Sequence, residues 1–124
     1  MSTARTILVV DDEPAVREVV GAMLASLGFD VVLAADSAEA LERFRTEPNR
    51  FDAVLLDATV PGPAGADTAQ ELRRIREGVP ILLSSGFTEQ EVARRMHMDS
   101  RDGFIKKPYR MEALLAALER LLVG

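Results

Sequence analysis

The sequence predicts a doubly wound α/β domain in which five short parallel strands alternate with five amphipathic helices. Three observations predict it. Apolar runs alternate with stretches of helical periodicity five times over. Several runs are apolar throughout (Ile7-Leu8-Val9-Val10, Val54-Leu55-Leu56, Ile81-Leu82-Leu83), the habit of strands covered on both faces. The 124 residues, 48% of them hydrophobic, suit one core, so a single domain over residues 1–124 is expected.

The strands are expected at Thr6–Val10, Asp30–Ala34, Ala53–Leu56, Ile81–Ser84 and Gly103–Lys106. The first helix is read from Val16, Val19, Val20, Met23, Leu24 and Leu27, which recur at helical spacing. Pro14 fits its first turn and Gly28 the position just past its end. The second runs from about Ala38 to Thr46, with Ala40, Leu41 and Phe44 inward. The third lies near Ala66–Arg76, with Leu72 and Ile75 as its apolar positions. The fourth opens at Thr88-Glu89-Gln90-Glu91, a capping-box pattern. The last carries Met111, Leu114, Leu115, Leu118, Leu121 and Leu122. Right-handed crossovers then give a parallel sheet, and ligands of such sheets bind beyond the carboxyl ends of the strands.

Composition removes several function classes. Fifteen basic against twenty acidic residues leave a net charge of -5, which argues against direct nucleic-acid binding. With no Cys and one His, thiol chemistry, disulfides and multi-histidine metal sites are excluded. The apolar run of the first strand is too short for a signal peptide or a membrane span, so a cytoplasmic protein is expected.

The strand ends are where the chemistry gathers. Strand one ends in Asp11-Asp12-Glu13, strand three in Asp57, strand four in Ser84-Ser85-Gly86 and strand five in Lys106-Lys107-Pro108. Each has a purely structural reading. The acidic run before Pro14 can cap a helix, Asp57 can form a turn, and Ser85 and Lys107 can be ordinary surface residues. Together they put three carboxylates, a hydroxyl and an ammonium on one edge. Carboxylates held close repel one another, and a hard divalent cation such as Mg²⁺ removes that cost. A carboxylate can also attack phosphorus to give an aspartyl phosphate, whose charge needs cations and donors around it.

Four segments, ILVVDDEP, DAVLLDATVPGPAG, PILLSSGF and GFIKKPY, resemble those of response-regulator receiver domains in order and spacing. Pro61 and Gly65 stand four and eight residues after Asp57, as in that family. The resemblance implies a flavodoxin-like sheet of order 2-1-3-4-5. It implies Asp57 as phosphoacceptor and Asp12 as a direct Mg²⁺ ligand, with Asp11 acting through water. The backbone carbonyl of Thr59 completes the protein's share of the metal shell. Lys107 pairs with the phosphoryl oxygens, Ser85 is the switch hydroxyl, and Phe104 is the aromatic that changes position on activation. Departures are Val60 for a common Met, Ala64 for a small polar residue, Phe104 for Tyr, and Met98-Asp99-Ser100-Arg101 for a small-residue turn. Thr59 and Phe87, two residues beyond Asp57 and Ser85, are placed to flank the phosphoryl group; Phe87 either shields it from water or packs against the fourth helix.

The implied function is a phosphorelay switch charged by a histidine kinase or histidine phosphotransfer protein. It catalyses its own phosphorylation and dephosphorylation but is not a conventional turnover enzyme. The implied output is a face of helix four, strand five and helix five, which serves an effector or a second copy. No nucleic-acid or membrane partner is expected. A haloacid-dehalogenase phosphatase would need a second aspartate where Thr59 stands, and no phosphate-cradling Gly motif supports a nucleotide site. A receiver working unphosphorylated, by protein contact alone, is the remaining alternative. His97 reads as an exposed residue of the fourth helix rather than a phosphodonor.

Overall fold

The apolar runs form the strands. The computed structural model describes residues 4–60, 68–95 and 101–123. In it lie β1 (Thr6–Val10), β2 (Asp30–Ala34), β3 (Ala53–Asp57), β4 (Ile81–Ser85) and β5 (Gly103–Lys106). The helices are α1 (Pro14–Ser26), α2 (Ser37–Thr46), α3 (Thr68–Ile75), α4 (Glu89–Arg95) and α5 (Met111–Val123). Every strand pair is parallel and the order is β2-β1-β3-β4-β5, as expected. Pro61, Ala64, Gly65, Ala66, His97 and the Met98-Asp99-Ser100 part of the loop before β5 lie outside the described residues.

Strands β3 and β4 each run one residue further than expected, to Asp57 and Ser85. The ladder explains this. Asp57 pairs with Ser84 and Ser85 with Lys106, and a polar side chain does not interrupt backbone pairing already in register.

Alternation along the strands divides the core in two. Leu8, Val10, Val54, Leu56 and Leu83 pack with Phe44, Leu72 and Val92 on the side of α2, α3 and α4. Ile7, Val9, Leu55, Leu82 and Ile105 pack with Val20, Leu24, Leu114 and Leu118 on the side of α1 and α5. Neighbouring residues of a central strand thus each meet a helical layer, which is why the runs are apolar without a break. Phe44 and Phe51 stack with ring centroids 5.8 Å apart.

Helix ends follow local chemistry. Gly28 takes φ 95 just past α1, a left-handed conformation that glycine adopts without a Cβ clash. Thr88 and Glu91 form the expected capping box: the Glu91 amide donates to Thr88 Oγ1 (3.2 Å) and the Thr88 amide to Glu91 Oε1 (3.3 Å). Helix α2 begins one residue before the expected start because Asp36 is its cap, accepting the Glu39 amide at 2.8 Å. Glu39 Oε1 in turn accepts the Ala35 amide at 2.6 Å. Among the described residues, no helix is long and apolar enough to cross a membrane.

Candidate functional site

The period of two along a strand places the site. Asp11 follows Val9 by two residues, Asp57 follows Leu55 and Lys107 follows Ile105, and all three leading residues face α1 and α5. The backbone extends this pattern past the strand ends. The Asp11 amide donates to the Ala34 carbonyl at 3.2 Å, and the Lys107 amide to the Ser85 carbonyl at 2.7 Å. Asp11 and Asp57 are therefore held buried, 4% and 3% exposed, while Asp12 turns outward to solvent.

The structure brings Asp11, Asp12 and Asp57 together. One carboxylate oxygen from each lies within 4.8 Å of the others. Lys107 Nζ bridges two of them, donating to Asp11 Oδ2 at 3.0 Å and Asp57 Oδ2 at 3.2 Å. The remaining oxygens of the buried pair also have donors. Asp11 Oδ1 accepts the Glu13 amide at 3.0 Å. Asp57 Oδ1 accepts both the amide and the hydroxyl of Thr59, at 2.9 and 2.8 Å. Glu13 stands at the N-cap of α1 but makes no side-chain cap bond, so the acidic run does more than cap a helix.

Three carboxylates against one ammonium leave an excess of negative charge in a partly buried space. All three acids offer hard oxygen ligands, and the exposed one leaves room for water or a further oxygen. That donor set fits a divalent cation such as Mg²⁺.

Electrostatics keep Lys107 charged. Burial pulls its pKa down. The hydrogen bond that Lys107 donates to Asp11, the fields of Asp57 and Asp11, and the hydrogen bond it donates to Asp57 together outweigh this, and the net shift is upward. Beside it, burial pushes the Tyr109 phenol up to about 12, opposed by Lys107 and reinforced by Asp11 and Asp57. Both folded-state values lie above the ordinary ones. Their contributions to stability are therefore complete below about pH 10 and are lost as pH rises through the folded values. Tyr109 is the sole tyrosine, so phenolate absorbance reports it alone. The absorbance should stay low past pH 10 and rise toward pH 12. A midpoint at pH 10 with the far-ultraviolet signal still native would contradict the burial.

The other predicted residues take distinct positions. Ser85 is fully buried at the end of β4, and its Oγ accepts the Phe87 amide at 3.0 Å. Ser84, not Ser85, stands opposite Asp57 in the ladder. Phe104 is half-buried and packs against the α2–α3–α4 side of the core, not beside the carboxylates. Phe87 is 39% exposed.

Two features escaped the sequence reading. The Thr59 hydroxyl binds Asp57; a hydroxyl two residues after an aspartate is a turn signature that could have revealed it. Tyr109, half-buried, lines the groove beside Lys107 next to Pro108, and nothing in the periodicity announces it there.

The family model described as response regulator receiver domain matches residues 7–119. The chain is 32% identical over 122 residues to sensor kinase CckA of Brucella abortus, covering 98% of this chain and 13% of that protein. It is 38% identical over 118 residues to response regulator MprA of Mycobacterium sp. (strain KMS), covering 94% of this chain and 50% of that protein. This chain thus spans no more than half of either relative. Among solved structures, it resembles the receiver domain of sensor histidine kinase PA1611 from Pseudomonas aeruginosa, a structure with a magnesium ion coordinated in the active site cleft. The TM-score is 0.83 at 29% identity, covering 98% of this chain and 100% of that one. With the predicted strand order and the acidic cluster at the strand ends, these matches show that this chain belongs to the response regulator receiver domain family.

Proposed function

We propose that the domain is a phosphoacceptor switch that takes a phosphoryl group onto Asp57 from a phosphohistidine donor in a Mg²⁺-dependent reaction. The observation that carries this reading is the buried Asp57 carboxylate, bridged to Asp11 by Lys107 within 4.8 Å of Asp12. An oxygen of Asp57 attacks phosphorus, and the donor's imidazole leaves as the P–N bond breaks. Lys107 is already cationic and within reach, so it can exchange its contact with Asp57 for the incoming phosphoryl oxygens. Asp12, Asp11, Asp57 and the Thr59 carbonyl would hold Mg²⁺, which when bound supplies positive charge for the transferring phosphoryl.

The readout in this reading begins at the next strand ends. Ser85 releases the Phe87 amide and turns to the phosphoryl group, and Phe104 repacks. The face of α4, β5 and α5 then offers a changed surface to an effector or a second copy. The donor is a histidine kinase or histidine phosphotransfer protein. The apolar groove beside Lys107 that Val16, Val19, Met23, Pro108 and Tyr109 line offers it a surface at the edge of the site. Such a domain acts on its own carboxylate and is not a turnover enzyme.

Incubation with Mg²⁺ and a small acyl phosphate, followed by intact mass measurement, tests the reading. A single labile phosphoryl adduct that disappears when Mg²⁺ is chelated is expected. No adduct under any Mg²⁺ concentration would leave the domain as a module acting by protein contact alone.

A further inference from the structure

Arg17 binds a backbone atom beside a cluster of acids. Its Nη1 donates to the carbonyl oxygen of Asp11 at 2.7 Å, and among the described residues it enters no ion pair. Arg17 is the fourth residue of α1, near the end where the helix dipole disfavours a cation. Its own helix gains nothing from a charge there, so the contact with Asp11 is what the arginine supplies.

That contact completes a set. The Asp11 amide donates to the Ala34 carbonyl of β2, Asp11 Oδ1 accepts the Glu13 amide, and Asp11 Oδ2 accepts Lys107 Nζ. With Arg17 on the carbonyl, all four polar atoms of Asp11 are bound, each to a different part of the chain. The Arg17 bond is the one that reaches forward. The Asp11 carbonyl belongs to the peptide that leads into Asp12, and a peptide is planar. Holding its oxygen sets the direction in which the backbone leaves β1, while the Glu13 amide bond holds the far side of the same turn. The Asp12 side chain faces solvent, so its aim follows the backbone on either side of it.

We propose that Arg17 is a positioning residue, whose bond to the Asp11 carbonyl aims the Asp12 carboxylate into the cluster with Asp11 and Asp57. This role rests on the reading that the cluster holds Mg²⁺, and it has a sign of its own. A guanidinium near a cation site repels the cation, so by charge alone its removal tightens binding. Removal of a positioning residue weakens binding instead. Outer partners that orient a metal ligand are each worth about tenfold or more in affinity.

The test titrates Mg²⁺ into the unphosphorylated, isotopically labelled chain and follows the backbone amide resonances. Arg17→Met should bind Mg²⁺ about tenfold more weakly than the parent. Its Asp12 amide resonance should also move before any Mg²⁺ is added, because that nitrogen shares a peptide with the carbonyl that Arg17 holds. Arg17→Lys keeps one charged donor and should recover part of the affinity. Arg43→Met, a change at an exposed position on α2, should match the parent. An arginine that served only the fold would lower the denaturant midpoint on removal and leave the Mg²⁺ affinity of the folded chain as it was. Arg17→Met binding as tightly as the parent or more so, Arg17→Lys binding more weakly than Arg17→Met, or an unmoved Asp12 amide would each overturn the proposal with the Mg²⁺ site intact. A parent chain that takes up no Mg²⁺ would remove the site itself, and the role of Arg17 with it.

Discussion

Asp57→Asn is expected to accept no phosphoryl group at all, whereas Asp12→Asn should still accept one when Mg²⁺ is raised. The two acids occupy different environments. Asp57 is buried, both of its oxygens are hydrogen-bonded, and Lys107 is fixed at 3.2 Å. Its amide equivalent keeps the shape and loses the nucleophile, so intact mass should show no adduct at any donor concentration. Asp12 faces solvent and contributes charge to the cluster. Removing one negative charge from a cation site near the surface should weaken apparent Mg²⁺ affinity by roughly 10- to 100-fold. Excess Mg²⁺ then restores the adduct. An adduct surviving in Asp57→Asn would move the acceptor to another residue. Equal loss at both positions, with no rescue by Mg²⁺, would remove the distinction between nucleophile and ligand.

Phe44→Ala should cost about 3–5 kcal/mol of folding stability, a large part of the 5–15 kcal/mol typical of a small domain. Phe44 is fully buried, stacks on Phe51 and sits in the core between α2 and the sheet. Truncation leaves a hole that rigid strands on one side cannot close. Val19→Ala is the comparison, because Val19 is 56% exposed and its loss should fall within about 0.5 kcal/mol. Denaturant midpoints of the two variants measure the contrast. A loss below about 1 kcal/mol for Phe44→Ala would mean that the stacked pair lies in a looser core than its burial indicates.

Most of the architecture was legible because it rests on continuous apolar runs and on helix stops such as Gly28. What escaped is where polar residues, not apolar ones, set a boundary. Asp36 caps α2 so that it starts at Ser37 rather than Ala38, and Asp57 and Ser85 each extend a strand one residue past its expected end. The acidic cluster was legible from the strand ends alone, since period two carries Asp11, Asp57 and Lys107 to one face. The resemblance supplied roles for Ser85 and Phe104 that neither burial nor spacing distinguishes from structural ones. The bond from the Thr59 hydroxyl to Asp57 was overlooked for another reason: it is made by local turn geometry, which the apolar patterning does not report.

The strand order also decides what is lost first when the sheet loosens. Strands β1 and β3 are paired on both sides, and they lead to Asp11 and end in Asp57. Strand β5 is paired with β4 alone, and it delivers Lys107. Fraying begins where hydrogen bonds are one-sided, so partial opening withdraws the ammonium while both carboxylates stay anchored in the sheet's centre. Such opening would leave the acidic corner more negative and better disposed to an outside cation.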